Sequence, residues 1–196
     1  MSLRSQFIKF NSADLKELPM KTKLTPKQFY TKLYNMLEDV TPLEIDCGKL
    51  CNGACCAVTE DETGMYLFPE ERVMYNPMPS WGGISDIDFT YDNGKSVDFF
   101  TCEGKCDRSL RPLSCRIFPL VPYAKRGDKL QIIMDIRGRG MCPLATAMKI
   151  EDLSPLFVER VTKAMHLCML NRETREFIYS LSESIDEIEK IREDFR

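Results

Sequence analysis

The chain has 196 residues, 43% hydrophobic and 29% charged, enough to bury a core of its own without a metal to hold it together. Its formal net charge of −3 argues against a general affinity for nucleic acid or for an anionic membrane. No segment approaches the roughly 20 apolar residues that span a bilayer, and the N-terminus lacks an apolar stretch of signal-peptide length, so a cytoplasmic location is expected.

Residues 1–24 read as an N-terminal extension. Thr25-Pro26-Lys27-Gln28 predicts a helix start, with Thr25 as cap, Pro26 in the first turn and Gln28 three residues after the cap. Phe29, Leu33, Met36, Leu37 and Val40 follow at helical spacing, and Thr41-Pro42 ends the run. A cysteine stretch comes next, whose Gly48 and Gly53 predict a loop able to fold several thiols around one point. Met65 to Phe68 reads as a short strand and Pro69-Glu70-Glu71 as a helix start. Between 76 and 96, Pro77, Pro79, Gly82, Gly83, Asn93 and Gly94 predict an irregular excursion.

Val97 to Thr101 reads as a strand that delivers Cys102. Ile117 to Tyr123 and Lys129 to Ile136 are expected to pair across a turn containing Gly127, with Pro119 and Pro122 confining the first to an edge. Cys142-Pro143 opens a helix, and Ser154-Pro155 a longer one. On that longer helix Phe157, Val161, Ala164, Met165 and Cys168 share the apolar face, opposite Glu159, Thr162, Lys163 and His166. A last helix carries Ile178, Leu181, Ile185, Ile188 and Ile191 in a heptad-like seam that packs on the domain or on a partner. The expected fold is α+β. A small irregular antiparallel sheet with cysteine-rich loops makes a metal-binding domain over 25–150, flanked by N-terminal and C-terminal helices, and 151–196 forms a helical segment packed on the same domain.

Eight of the nine cysteines fall in three stretches: Cys47, Cys51, Cys55 and Cys56; then Cys102, Cys106 and Cys115; then Cys142. An odd count, a reducing compartment and the adjacent pair Cys55-Cys56 suit a disulfide framework poorly. Thiolate ligation of a metal is the expectation. Zinc and iron–sulfur clusters both take four cysteines, so eight thiols could fill two such sites, or one with spares. Paired C-x2-C knuckles do not occur. The C-x2-C-x2-C-x3-C-P run of bacterial ferredoxins is missing, although Cys142-Pro143 echoes its end. Cys47-x3-Cys51-x3-Cys55 is one residue longer than the triplet of radical enzymes that use S-adenosylmethionine. The choice between zinc and iron stays open.

Four thiolates around such a centre leave about two net negative charges. Arg111 and Arg116 bracket Cys115 and are expected to stand behind the ligands and offset that charge, whereas Arg137 and Arg139 read equally well as surface residues. Cys168 reads as a buried core thiol and His166 as a surface histidine. Glu103 and Asp107 read as loop carboxylates, Trp81 with Met74, Tyr75 and Met78 as core, and Arg126-Gly127-Asp128 as a turn.

The tract Arg111-Pro112-x-x-Cys115-Arg116-x-Phe118-Pro119 follows Cys55-Cys56 and the pair Cys102 and Cys106. In this it resembles the CxxCxxCC-type zinc- or iron-chelating proteins, some larger members of which are flagellin lysine-N-methylases. The resemblance covers residues 45–145 and implies chelation through some of Cys51, Cys55, Cys56, Cys102, Cys106, Cys115 and Cys142. The spacing around Cys47 is wider than the family pattern, which leaves open whether Cys47 or Cys51 is the ligand. A binding site for S-adenosylmethionine usually needs a glycine-rich strand–turn–helix, and none is visible in the sequence. Metal binding is therefore the expected function. Two alternatives stand beside it: a cluster-dependent redox or lysine N-methylase-type enzyme, and a protein-interaction module braced by metal. The last predicts that truncation after Ser180 abolishes partner capture and leaves metal content unchanged.

Overall fold

The computed structural model describes residues 24–45, 47–57, 63–104 and 106–195; the extension expected over 1–24 lies almost wholly outside them. Thr25 caps helix α1 (Pro26–Met36) through a closed capping box. Its Oγ1 accepts the Gln28 N–H at 3.3 Å, and Gln28 Oε1 accepts the Thr25 N–H at 3.0 Å. The helix ends at Leu37, short of Thr41-Pro42, yet Leu37 and Val40 remain buried. Helix α2 (Gly48–Cys51) and a 3-10 turn at Ala54–Cys56 follow, joined by Asn52 and Gly53, both at positive φ.

Strand β1 (Gly64–Tyr66) confirms half of the Met65 to Phe68 expectation. The helix expected at Pro69-Glu70-Glu71 is only a 3-10 turn, Glu71–Met74, because Glu70 at φ 67° breaks the run. The irregular excursion expected between 76 and 96 is largely a ten-residue strand, β2 (Gly82–Tyr91), paired antiparallel with β3 (Lys95–Cys102). The glycines that suggested irregularity serve packing and turning. A Cβ at Gly82 would stand 2.4 Å from the Phe100 ring, and Asp92, Asn93 and Gly94 form the connecting loop with φ positive at all three.

A short helix unforeseen in the sequence, α3 (Leu113–Ile117), carries Cys115 and displaces the start of β4 to Leu120. Strand β4 (Leu120–Tyr123) pairs with β5 (Gln131–Met134) as a two-stranded sheet, around a turn in which Gly127 sits at φ 89°. Helices α4 (Pro143–Ala147), α5 (Pro155–Leu170) and α6 (Arg172–Asp194) complete the chain, with Cys142 and Ser154 as N-caps of the first two. Asn171 ends α5 and caps α6, its side chain accepting the Glu173 N–H at 2.9 Å.

The fold is α+β: a three-stranded antiparallel sheet in the order β1-β3-β2, a separate β4-β5 hairpin, and helices at both ends. One core runs through all of them. Phe177 of α6 packs against Phe68, Tyr66, Tyr91 and Phe89 with ring centroids 4.9 to 6.1 Å away, which locks α6 to the sheet. Tyr75, Trp81 and Phe100 form a smaller cluster under Cys102. Among the described residues no helix is long and apolar enough to cross a membrane.

Candidate metal centre

The three cysteine stretches reach one region by different routes. Cys47 and Cys51 sit at the two ends of α2, where the Cys51 thiol donates to the Cys47 carbonyl at 3.5 Å. Cys55 and Cys56 lie on the 3-10 turn that follows, with sulfurs 3.9 Å apart. Strand β3 ends at Cys102, whose N–H donates to the Thr63 carbonyl at 2.9 Å; this ties the strand end to the start of β1. Cys106 follows in the loop, Cys115 rides on α3, and Cys142 caps α4 with its side chain buried.

Their electrostatics show which thiols are neighbours. Cys115 lies within range of Cys56, Cys106 and Cys102, and burial above all pushes its thiol up. Cys102 is raised by burial first, with Cys106 and Cys56 adding to it. Cys55 is raised by its hydrogen bond with Cys56 and then by burial, and it also feels Cys142 and Cys47. That same hydrogen bond, helped by Arg111, lowers Cys56, which makes Cys56 the readiest thiolate of the pair. All nine cysteines are thiols, and Cys168 is fully buried in the core beneath α5, apart from the others.

Arg111 lies among the thiols: its Nε–H donates to Cys106 Sγ at 3.4 Å, and Cys56 and Cys115 lie within its field. Arg116 also lies beside the thiols, but its hydrogen bonds go elsewhere. Its side chain, 2% exposed, pairs with Glu38 at 2.7 Å and donates to the carbonyls of Arg108, Ser109 and Arg111 at 2.7–2.8 Å, while its guanidinium lies over the Tyr34 ring. It holds the loop that presents Arg111. Arg137 is drawn away to Asp135 and the Tyr66 hydroxyl, and Arg139 is exposed. Asp107 caps the turn at Arg108–Leu110 by accepting the Ser109 N–H, and Glu103 is exposed.

Two features escaped the sequence. Arg108 donates to the carbonyls of Glu38 and Val40, so it ties the segment after α1 to the cysteine region. Beside it opens a cavity of about 190 Å³, lined by Cys47, Cys51, Cys55, Cys115 and Cys142, by Arg108, Arg111 and Arg116, and by an apolar wall that includes Leu50, Phe118 and Leu144. Among the described residues no carboxylate or imidazole lines it. Among the described residues no three Cys, His, Asp or Glu side chains stand close enough to hold an ion as they are. The thiols are gathered, but they are not closed into a coordination shell.

No protein-family model, curated protein or solved structure matches this chain.

Proposed function

We propose that this protein chelates a thiophilic metal, zinc or the iron of an iron–sulfur cluster, through thiols drawn from Cys47, Cys51, Cys55, Cys56, Cys102, Cys106, Cys115 and Cys142. The observation that carries the reading is the cavity: five cysteines from three separate stretches line it together with arginines, and among the described residues no carboxylate or imidazole joins them. A donor set of sulfur alone fits zinc, copper(I) or iron–sulfur chemistry and fits magnesium or calcium poorly. The resemblance of the Arg111 to Pro119 tract to chelating proteins points the same way.

The residues also supply the charge such a centre needs. Arg111 already donates to Cys106, and neither Arg108 nor Arg111 pairs with a carboxylate among the described residues. Their positive charge is available to a thiolate site carrying about two net negative charges. A bound four-thiolate centre would supply bracing of the loops or electron transfer, since a closed shell leaves no open position for hydrolysis. What the chain itself does is bring the thiols together and lower Cys56 toward its ligand form.

The cavity also gives specific support to a second reading, an enzyme in which a small substrate sits beside a redox centre. Both sheets are antiparallel, and the described residues hold no strand–glycine loop–helix unit of the kind that binds S-adenosylmethionine. Elemental analysis of protein purified without oxygen, together with its visible spectrum, separates these readings. Stoichiometric zinc without colour supports a structural chelator, whereas iron with absorbance near roughly 400 nm supports a cluster. A metal-to-chain ratio near zero, with the eight clustered thiols all titrating freely in the folded protein, overturns chelation.

A further inference from the structure

Away from the thiols, two surfaces of the molecule complement one another in charge. We propose that the protein self-associates: the acidic end of α6 of one copy docks in a basic groove between α1 and α5 of a second copy. The contact joins unlike surfaces, so two reciprocal copies of it close a two-fold dimer.

The groove has a volume of about 480 Å³, and its described walls belong to α1 and α5. Lys27 and Lys32 of α1 and Arg160 of α5 line it with Met36, and among the described residues no carboxylate does. None of the three cations makes an ion pair among the described residues; Glu159, beside Arg160 in the chain, is held by Lys163 at 2.7 Å. Lys32 and Arg160 are half-buried, so their charges stand at the wall without a counter-ion. On a chain of net charge −3, three cations and no carboxylate along one groove amount to a segregation of charge. Lys27, Thr31 and Asn35 are exposed, so the groove is open along α1. An open channel between two helices suits a further helix, whereas a small ligand needs walls that enclose most of its surface.

The end of α6 is such a helix. Ile185 is its last buried residue, and none of residues 186–195 is buried. Ile188 still packs in part against the core; Ile191 and Phe195, three and seven residues further on, prolong the same stripe and are exposed. Glu187 and Asp194 border that stripe at helical spacing, and Glu189 and Glu193 lie across the helix from it. All four are exposed and make no ion pair among the described residues. Over 187–194 these four carboxylates stand against two cations, Lys190 and Arg192, a net −2 that the groove's three cations complement. The apolar stripe finds Met36 in the groove and the exposed Leu156 one turn before Arg160 on α5. Residues 1–23 fit the groove poorly, since they carry five basic side chains and two acidic ones.

Sedimentation velocity of the full chain over a wide range of concentration tests this directly. The wild type should dimerise as concentration rises, and added salt should weaken the dimer. Lys32→Glu/Arg160→Glu and Glu187→Lys/Asp194→Lys should each weaken association by roughly tenfold or more, because each sets like charges against one another. An equal mixture of the two reversed chains should associate again, since each then offers the charge that the other's surface lacks. Lys27→Glu, at an exposed position, repeats the groove test if the half-buried pair disturbs the fold. A wild type that stays monomeric overturns the proposal. So does a dimer that withstands both reversals, which would place the contact on the apolar stripes of two α6 ends, and so does a mixture that fails to associate. No cysteine takes part, so none of these results bears on chelation.

Discussion

At the residue scale the decisive groups are Glu71 and Arg116, whose buried partners the sequence did not mark. Glu71 is fully buried, accepts from the Tyr34 hydroxyl at 2.7 Å and from the Phe68 and Leu113 N–H groups at 2.8 and 2.6 Å, and is pushed by burial up to about 7. A carboxyl group whose folded value lies above its unfolded one adds stability at low pH, where both states hold the proton. That stability is lost as pH rises from about 4.5 through 7, by about 3 kcal/mol in all. Urea unfolding from pH 4.5 to 8 should show this fall in the wild type and a flatter profile for Glu71→Gln; parallel profiles would remove Glu71 from the pH response. Arg116 is the second. Its loss strands three carbonyls and the Glu38 carboxylate, so Arg116→Ala should cost about 2–4 kcal/mol. Arg116→Lys should recover little of it, because an ammonium cannot span those carbonyls as a planar fork does. The identities of the thiols could be read in the sequence, since cysteines this dense advertise themselves. The different roles of Arg111 and Arg116, one on a sulfur and one on backbone carbonyls, depend on Glu38 and Tyr34, residues more than 70 positions away in the chain, and no local pattern encodes them.

At the scale of elements, the long helices announced themselves, whereas the short helices α2 and α3 did not and the sheet did so only in part. Helix α1 was legible from its capping box and α5 from its apolar face, because both signals are local. Strand β2 was hidden by glycines that a reader takes for loop; their reason is the Phe100 ring, a partner across the sheet. Helix α6 was legible in its period, but its destination was not. Leu181, Ser182 and Ile185 are buried, and Ser182 Oγ accepts the Ala124 N–H at 2.9 Å, so the helix packs on the domain well past Ser180. Truncation after Ser180 therefore removes core and cannot isolate a partner-binding role. Truncation after Lys190 removes Ile191 and Phe195, 55% and 87% exposed, and should leave the melting temperature nearly unchanged; a pull-down with that variant tests the partner reading cleanly. Phe177→Ala, by contrast, empties the ring cluster between α6 and the sheet and should cost about 3–5 kcal/mol in urea unfolding.

For the whole molecule, the core and the thiol region are separate investments. The core gathers residues from both ends of the chain and needs no metal, whereas the thiols face one another across loops between its elements. Removing metal should therefore loosen the cysteine loops without unfolding the protein. Loading it to 100 times the dissociation constant should raise stability by about 2.7 kcal/mol, read as a higher urea midpoint. The sequence told which chemistry the thiols could support; it could not tell that Cys55 and Cys142, far apart in the chain, line one cavity. X-ray absorption at the edge of the bound metal tests chelation by these thiols most directly. A first shell of four sulfurs at about 2.3 Å is expected, and a shell made only of nitrogen and oxygen would show that the clustered cysteines do not hold the ion.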